Sequence, residues 1–177
     1  LTWGGLFAIW AAARLLYLAA AGGVPGLMFD EVWFLGKASR LVEGGWGNLS
    51  AQHGPVVYLG LAALLKAGAG LWASRLFGIF WDALLVFGGA AMVGRVAGTE
   101  IGRTWGLLAA TSPAVALVGQ HGVTENAAAA GLLVGTVGMA SGAWGFAGLG
   151  WLLAGLSKPG IGAAAVVGCV GYAAWTA

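Results

Sequence analysis

Apolar runs of membrane length repeat along nearly all 177 residues, and only eight Lys or Arg and six Asp or Glu interrupt them. A chain so poor in charge cannot clothe a soluble surface, which draws roughly a quarter of its residues from the charged types. The mean hydropathy of +0.89 agrees. Backbone groups in hydrocarbon must be satisfied within the segment, so continuous apolar runs without strand alternation predict helices rather than a barrel. The expected fold is all-α, a polytopic transmembrane bundle. Its 34 glycines and many alanines predict close backbone approach, because packing rather than hydrophobicity drives helix association in lipid. A net charge of +2 without a basic cluster argues against a nucleic-acid partner. Cys169 stands alone, so no intrachain disulfide forms.

Six spans are expected, at about 3–21, 71–93, 104–118, 127–140, 144–156 and 161–177. A signal peptide fits the first poorly, because the run is too long and lacks a basic start and a cleavage site. Two shorter helices, about 31–42 and 56–67, are expected at the membrane surface. In the first of these Phe34, Leu35, Ala38, Leu41 and Val42 share one side at helical spacing, away from Glu31, Lys37 and Arg40. Gly22, Gly23, Pro25 and Gly26 break the chain before it, and Asp30 is placed to cap it. Leu1 in place of Met, and an end within an apolar stretch at Ala177, lead us to expect a fragment of a longer protein.

If the 56–67 helix does not cross, Asp30, His53, His121, Glu125 and Lys158 all emerge at one face. Arg95 and Arg103 then flank the opposite loop, 94–103, which suits the cytoplasmic side. Ionisable groups at the edge of hydrocarbon are expensive unless paired or hydrated, so they mark a pathway or a reactive site by default. Asp30-Glu31 is the foremost instance. Glu31 lies about 100° around the helix from Asp30, and is expected to orient Arg40 or another cation or to be solvated. Arg14 and Asp82 are further charges inside apolar runs. Arg14 either snorkels or meets a carboxylate, and Asp82 either pairs with Arg14 or lines a cavity.

A set of short motifs recurs in order: Phe29-Asp30-Glu31, His53-Gly54-Pro55-Val56-Val57-Tyr58, Ala73-Ser74-Arg75-Leu76, Ser112-Pro113, Thr124-Glu125-Asn126 and Leu156-Ser157-Lys158-Pro159. In order and spacing this set resembles the membrane-embedded GT-C glycosyltransferases, in particular the protein-mannosyltransferase-like group (glycosyltransferase family 39 and the aminoarabinose transferases of lipid A). Asp82 departs from the pattern, which is usually apolar there. The resemblance implies a GT-C fold with surface helices in the first extracytoplasmic loop. It also implies a polyprenyl-phosphate sugar donor, inversion at the anomeric carbon, and a protein, lipid or glycan acceptor. The implied location is the cell (inner) membrane, with the active site on its extracytoplasmic side. By the same resemblance Asp30 is the general base and Glu125 the second catalytic carboxylate. Lys158, Arg75, His53 and Glu31 contact the phosphate or substrate.

The residues themselves leave alternatives beside each role. Asp is a preferred helix cap, and an acid at the start of a span is favoured by the helix dipole, so Asp30 and Glu125 also fit structural duties. Glu125 could instead bind a divalent metal (Mg or Mn, with Asp30), orient the acceptor, or hold a cation. Lys158 and Arg75 also fit snorkelling residues. Tyr58 and the tryptophans read first as interfacial anchors. The two histidines lack metal-ligand spacing. A fragment of a multi-pass transporter is a rival reading, although no internal repeat is evident and the polar groups sit at span ends rather than midway. A non-catalytic assembly subunit is another.

Overall fold

The computed structural model describes residues 1–20, 29–45, 54–120, 124–161, 163–164 and 167, with the side chains of residues 18, 20, 29, 30 and 117–120 outside that description. Among the described residues the chain is all-helical. Its elements are α1 (Trp3–Ala20), α2 (Phe29–Val42), α3 (Pro55–Lys66), α4 (Trp72–Ala83), α5 (Gly89–Ala97), α6 (Thr99–Thr111), α7 (Pro113–Gln120), α8 (Thr124–Ala140) and α9 (Trp144–Ser157). A π-helical turn, Leu84–Gly88, joins α4 to α5. The result is one uninterrupted helix from Trp72 to Ala97. Among the described residues it is the one helix long and apolar enough to cross a membrane, with a mean hydropathy of 1.9 in its best window.

Glycines set the turns and the closest contacts. Gly98, at φ 99°, reverses the chain between α5 and α6 in a single residue, the left-handed conformation that ends many helices. The loop expected over 94–103 is therefore absent, and α6 begins at Thr99. Gly102 then lies against Gly94 and the Ala90 carbonyl, where an added Cβ would stand 2.3 Å from that oxygen. Gly142, at φ 71°, makes the turn between α8 and α9. These two helices touch backbone to backbone: a Cβ on Gly131 would lie 2.6 Å from the Ala154 nitrogen, and one on Gly150 2.3 Å from the Gly135 nitrogen. Such contact maximises dispersion and is what small residues provide in an apolar setting.

The expected helix over 104–118 is broken at Ser112. Proline disfavours helical backbone in the residue before it, and Ser112 is extended (ψ 121°). Its hydroxyl accepts a hydrogen bond from the Val115 amide at 3.4 Å, so Ser112 caps α7, and Pro113 takes the first-turn position that suits it.

Two cores follow the chain path. One joins Leu6 and Trp10 of α1 to Val86, Ala90 and Ala110. The other joins Phe34, Leu35, Ala38 and Leu41 of α2 to Val57, Tyr58 and Leu61 of α3, Phe77 and Trp81 of α4, and Ala127 and Ala130 of α8. The apolar stripe of α2 therefore faces protein, not a lipid surface, and Val42 is exposed. Tyr58 is fully buried in this core rather than an interfacial anchor. Glu31 shares the stripe's face, three residues before Phe34, and is buried with it. The expectation that it lies on another side is corrected by the i, i+3, i+4 geometry itself. Asp30 lies within α2 (Phe29–Val42), and the segment before that helix lies outside the described residues.

Arg14 locks the first core. Its Nε and Nη2 donate to the two oxygens of Asp82 at 2.7 Å each, and its Nη1 donates to the Ala110 carbonyl at 2.8 Å. The Trp10 indole donates to the same carboxylate at 2.6 Å. Of the roles open to Arg14 and Asp82, the structure selects their pairing with each other. Asp82→Asn alone leaves Arg14 charged without its carboxylate in the core, and is expected to destabilise by about 3–5 kcal/mol. The double variant Arg14→Met/Asp82→Leu is expected to recover most of that loss in a thermal melt of purified protein.

Candidate functional site at one end of the bundle

The path of the helices brings dispersed polar residues to one end. Gly102 opposite Gly94 and Gly106 opposite Ala90 make α5 and α6 antiparallel. Gly138 opposite Ala147 and Gly131 opposite Ala154 do the same for α8 and α9. Ala127 and Ala130 cluster with Phe77 and Trp81, and Leu133 reaches Gly89, so α8 runs alongside α4–α5 in the same direction. The first turns of α4 and α8 and the last turn of α9 therefore share an end. The segment before α3 joins them: the Gly54 amide donates to the Ser157 carbonyl at 3.2 Å. A side chain at Gly54 would overlap the Leu156 carbonyl, with its Cβ 1.6 Å from that oxygen. At its other end α3 is tied by the short turn 67–71 to Trp72, so both ends of α3 lie at this end of the bundle.

Four of the expected site residues are paired here, in two different ways. Arg75 forms an ion pair with Glu31, and both are almost entirely buried. Glu31 thus holds a cation, but Arg75 rather than Arg40. In this state Arg75 does not face an open site. Lys158, one residue beyond α9, places its Nζ 2.5 Å from Oε1 of Glu125 in the first turn of α8. This pair is open to water, with side-chain exposures of 36% and 47%. The other oxygen of Glu125 accepts from the Thr124 hydroxyl at 3.2 Å. Partial burial pulls the Glu125 carboxyl upward. The hydrogen bonds from Lys158, the backbone and Thr124, together with the lysine charge, outweigh that pull and hold it below the usual carboxylate value.

Asp30 immediately precedes Glu31 in α2, but its side chain lies outside the described residues. His53 and His121 lie outside them as well. Asn126 closes the Thr124-Glu125-Asn126 motif without a role of its own in the sequence, yet it is buried beside Glu125, and its Nδ2 has no hydrogen-bond partner among the described residues. Nothing but its place after an acid at a helix start could have singled it out. An apolar groove of about 420 Å³ runs between α3 and α4, walled by Val56, Gly60, Phe77, Phe80 and Trp81.

Of the two carboxylates expected to hold a divalent cation, Asp30 has its side chain outside the described residues and Glu125 is bonded to Lys158. Such an ion wants about six oxygen ligands, whereas Glu125 is bonded to an ammonium that would repel it. Among the described residues no group of three His, Cys, Asp or Glu side chains converges.

Because its folded value is depressed, Glu125 contributes stability at neutral pH that is lost as pH falls through the folded value. Lys158→Gln removes the main lowering influence, so the Glu125 carboxyl is expected to titrate at higher pH in that variant. Carbon-13 NMR of labelled glutamate carboxyls reads the change, and an unmoved resonance would mean that the lysine does not govern it. No protein-family model matches the chain, and no curated protein or solved structure matches it either.

Proposed function

We propose that this chain is a membrane-embedded glycosyltransferase of the GT-C type that moves a sugar from a polyprenyl-phosphate donor to an acceptor hydroxyl. The observation that carries this reading is the meeting of three motifs at one end of an apolar bundle. Gly54 touches Ser157, and the adjacent Lys158 holds Glu125. Exposed apolar side chains support the membrane setting. Leu16 of α1 is 71% exposed, Leu108 of α6 66% and Leu149 of α9 63%, a surface that suits lipid and would be a liability in water. In this reading α1, α6–α7, α8 and α9 cross the bilayer beside Trp72–Ala97, and α3 does not.

The chemistry needs a base, a cation and a place for a hydrocarbon tail. The acceptor oxygen attacks the anomeric carbon as its proton passes to Asp30, and a new C–O bond forms. The old bond to phosphate breaks, and its electron pair leaves on the lipid phosphate. Lys158 stabilises that anion as a point charge. Glu125 orients the acceptor by accepting from a donor group beside the attacking hydroxyl. The apolar walls of the groove between α3 and α4 suit the lipid of the donor. No step is routed through a divalent ion.

A second reading is favoured by a specific feature, the pairing of charges inside the fold. Arg14–Asp82 and Glu31–Arg75 are both buried, as expected of a non-catalytic membrane assembly subunit whose charges only hold helices together. Asp30→Asn separates the two. Sugar transfer in reconstituted vesicles is expected to fall at least about a hundredfold with membrane insertion intact. Full activity in that variant would remove Asp30 as the base. Topology is a separate test. In a Cys169→Ala background, cysteines at Lys66 and Thr99 are expected to label from opposite sides of the membrane, and cysteines at Thr99 and Ser141 from the same side. Labelling of Lys66 and Thr99 from one side would break the arrangement.

A further inference from the structure

Of the ion pairs near the proposed site among the described residues, only one is built to exchange. Glu31 and Arg75 are sealed from water, as are Arg14 and Asp82. Separating either pair strands a charge in a medium that cannot solvate it. Glu125 and Lys158 are different, because both reach water. They also stand on different supports: Glu125 on the first turn of α8, Lys158 on an extended residue (φ −146°, ψ 97°) just past the end of α9.

Those supports determine how each residue fares when the contact opens. Glu125 keeps the Thr124 hydroxyl on its second oxygen and sits at the positive end of a helix 17 residues long, where a carboxylate is favoured without a cation. Losing Lys158 does not strand it. Lys158 is bonded to one carboxylate oxygen, and the phosphodiester of a lipid-linked sugar, with one charge and two non-bridging oxygens, matches that carboxylate as a partner for it. The two residues assigned to donor and acceptor thus neutralise each other while neither substrate is bound.

We propose that Glu125 is a resident anion that occupies Lys158 until the phosphate of a lipid-linked donor displaces it, so that donor binding frees Glu125 to accept a hydrogen bond from an O–H or N–H of the acceptor next to its attacking hydroxyl. The inference rests on the glycosyl-transfer reading and adds an order to it: donor first, acceptor second. The exchange makes and breaks no covalent bond. The attacking hydroxyl gives its one proton to Asp30, and the carboxylate of Glu125 moves from an ammonium donor to a neighbouring O–H or N–H of the acceptor. Before the donor arrives the acceptor finds its carboxylate already engaged.

The test is a binding titration of the full chain in nanodiscs of phosphatidylcholine, read by native mass spectrometry, with a polyprenyl monophosphate carrying no sugar. Removing the competitor in Glu125→Gln is expected to tighten binding roughly two- to five-fold, the scale of a half-exposed ion pair. Glu125→Ala is expected to behave likewise. Lys158→Gln is expected to weaken binding about tenfold or more. Unchanged or weaker binding in both Glu125 variants, with Lys158→Gln still impaired, overturns the displacement and leaves the donor site standing. A wild-type protein that does not bind the polyprenyl phosphate, or that binds it as well after Lys158→Gln, overturns the donor site and the displacement with it. Inorganic phosphate and phosphatidylglycerol are run as separate titrants. Equal sensitivity of either to Glu125→Gln would show that any phosphate opens the pair, and would overturn the ordered donor step.

Discussion

The bidentate contact between Arg14 and Asp82 is the constraint on which the packing of this chain depends. Neither charge can be left alone among apolar side chains, so α1 must lie where its guanidinium reaches the carboxylate on α4. The same guanidinium bonds the Ala110 carbonyl near the end of α6. That end exists because Pro113 forces Ser112 out of helical backbone, and a helix end carries carbonyls in need of donors. One arginine therefore answers a carboxylate and a helix terminus, and fixes three helices in a mutual register that uniform apolar faces would leave loose. The π-helical turn begins two residues after Asp82.

Burial sorts the charges of this protein into different kinds. Arg14–Asp82 and Glu31–Arg75 are enclosed and serve as fixed joints. Arg103 and Glu100 are neighbours on one helix, three residues apart, with Glu100 largely in water, an arrangement that contributes little. Glu125 and Lys158 are intermediate, close enough to bond and open enough to part. Only a contact of that kind can take part in a cycle of binding and release. The proposed function depends on this distinction more than on the identity of any single residue.

Much of the local structure is legible in the sequence. The periodicity of Phe34, Leu35, Ala38 and Leu41 marks α2, and His53-Gly54-Pro55 marks the start of α3. Expectation and structure part where a residue's neighbours in space set the outcome. Glu31 reads as orienting Arg40 or another cation or as solvated, yet which cation it finds is set by Arg75 on α4, forty-four positions later. Tyr58 reads as an interfacial anchor, yet Trp33 and Phe34 close over its ring at 6.1 and 5.8 Å. The stripe of α2 reads as lipid-facing, because composition cannot tell a lipid tail from the side chains of α3 and α4. At the candidate site, the order of motifs suggests that Glu125 and Lys158 belong together, but not that they bond each other.

The sequence by itself determined that this chain is helical, where most of its helices begin and end, and that its few charges must find partners. Those outcomes come from local rules: hydrogen bonding of the backbone within apolar runs, the fixed angle of proline, and the positive φ open to glycine. Tertiary structure alone decided which partners were found. It set Asp82 against Arg14 and Glu31 against Arg75, sealed both pairs, and left Glu125 and Lys158 at the water's edge. The physical reason is that the strength of an ion pair and its freedom to exchange depend on what surrounds it, and those surroundings are assembled from residues far apart in the chain.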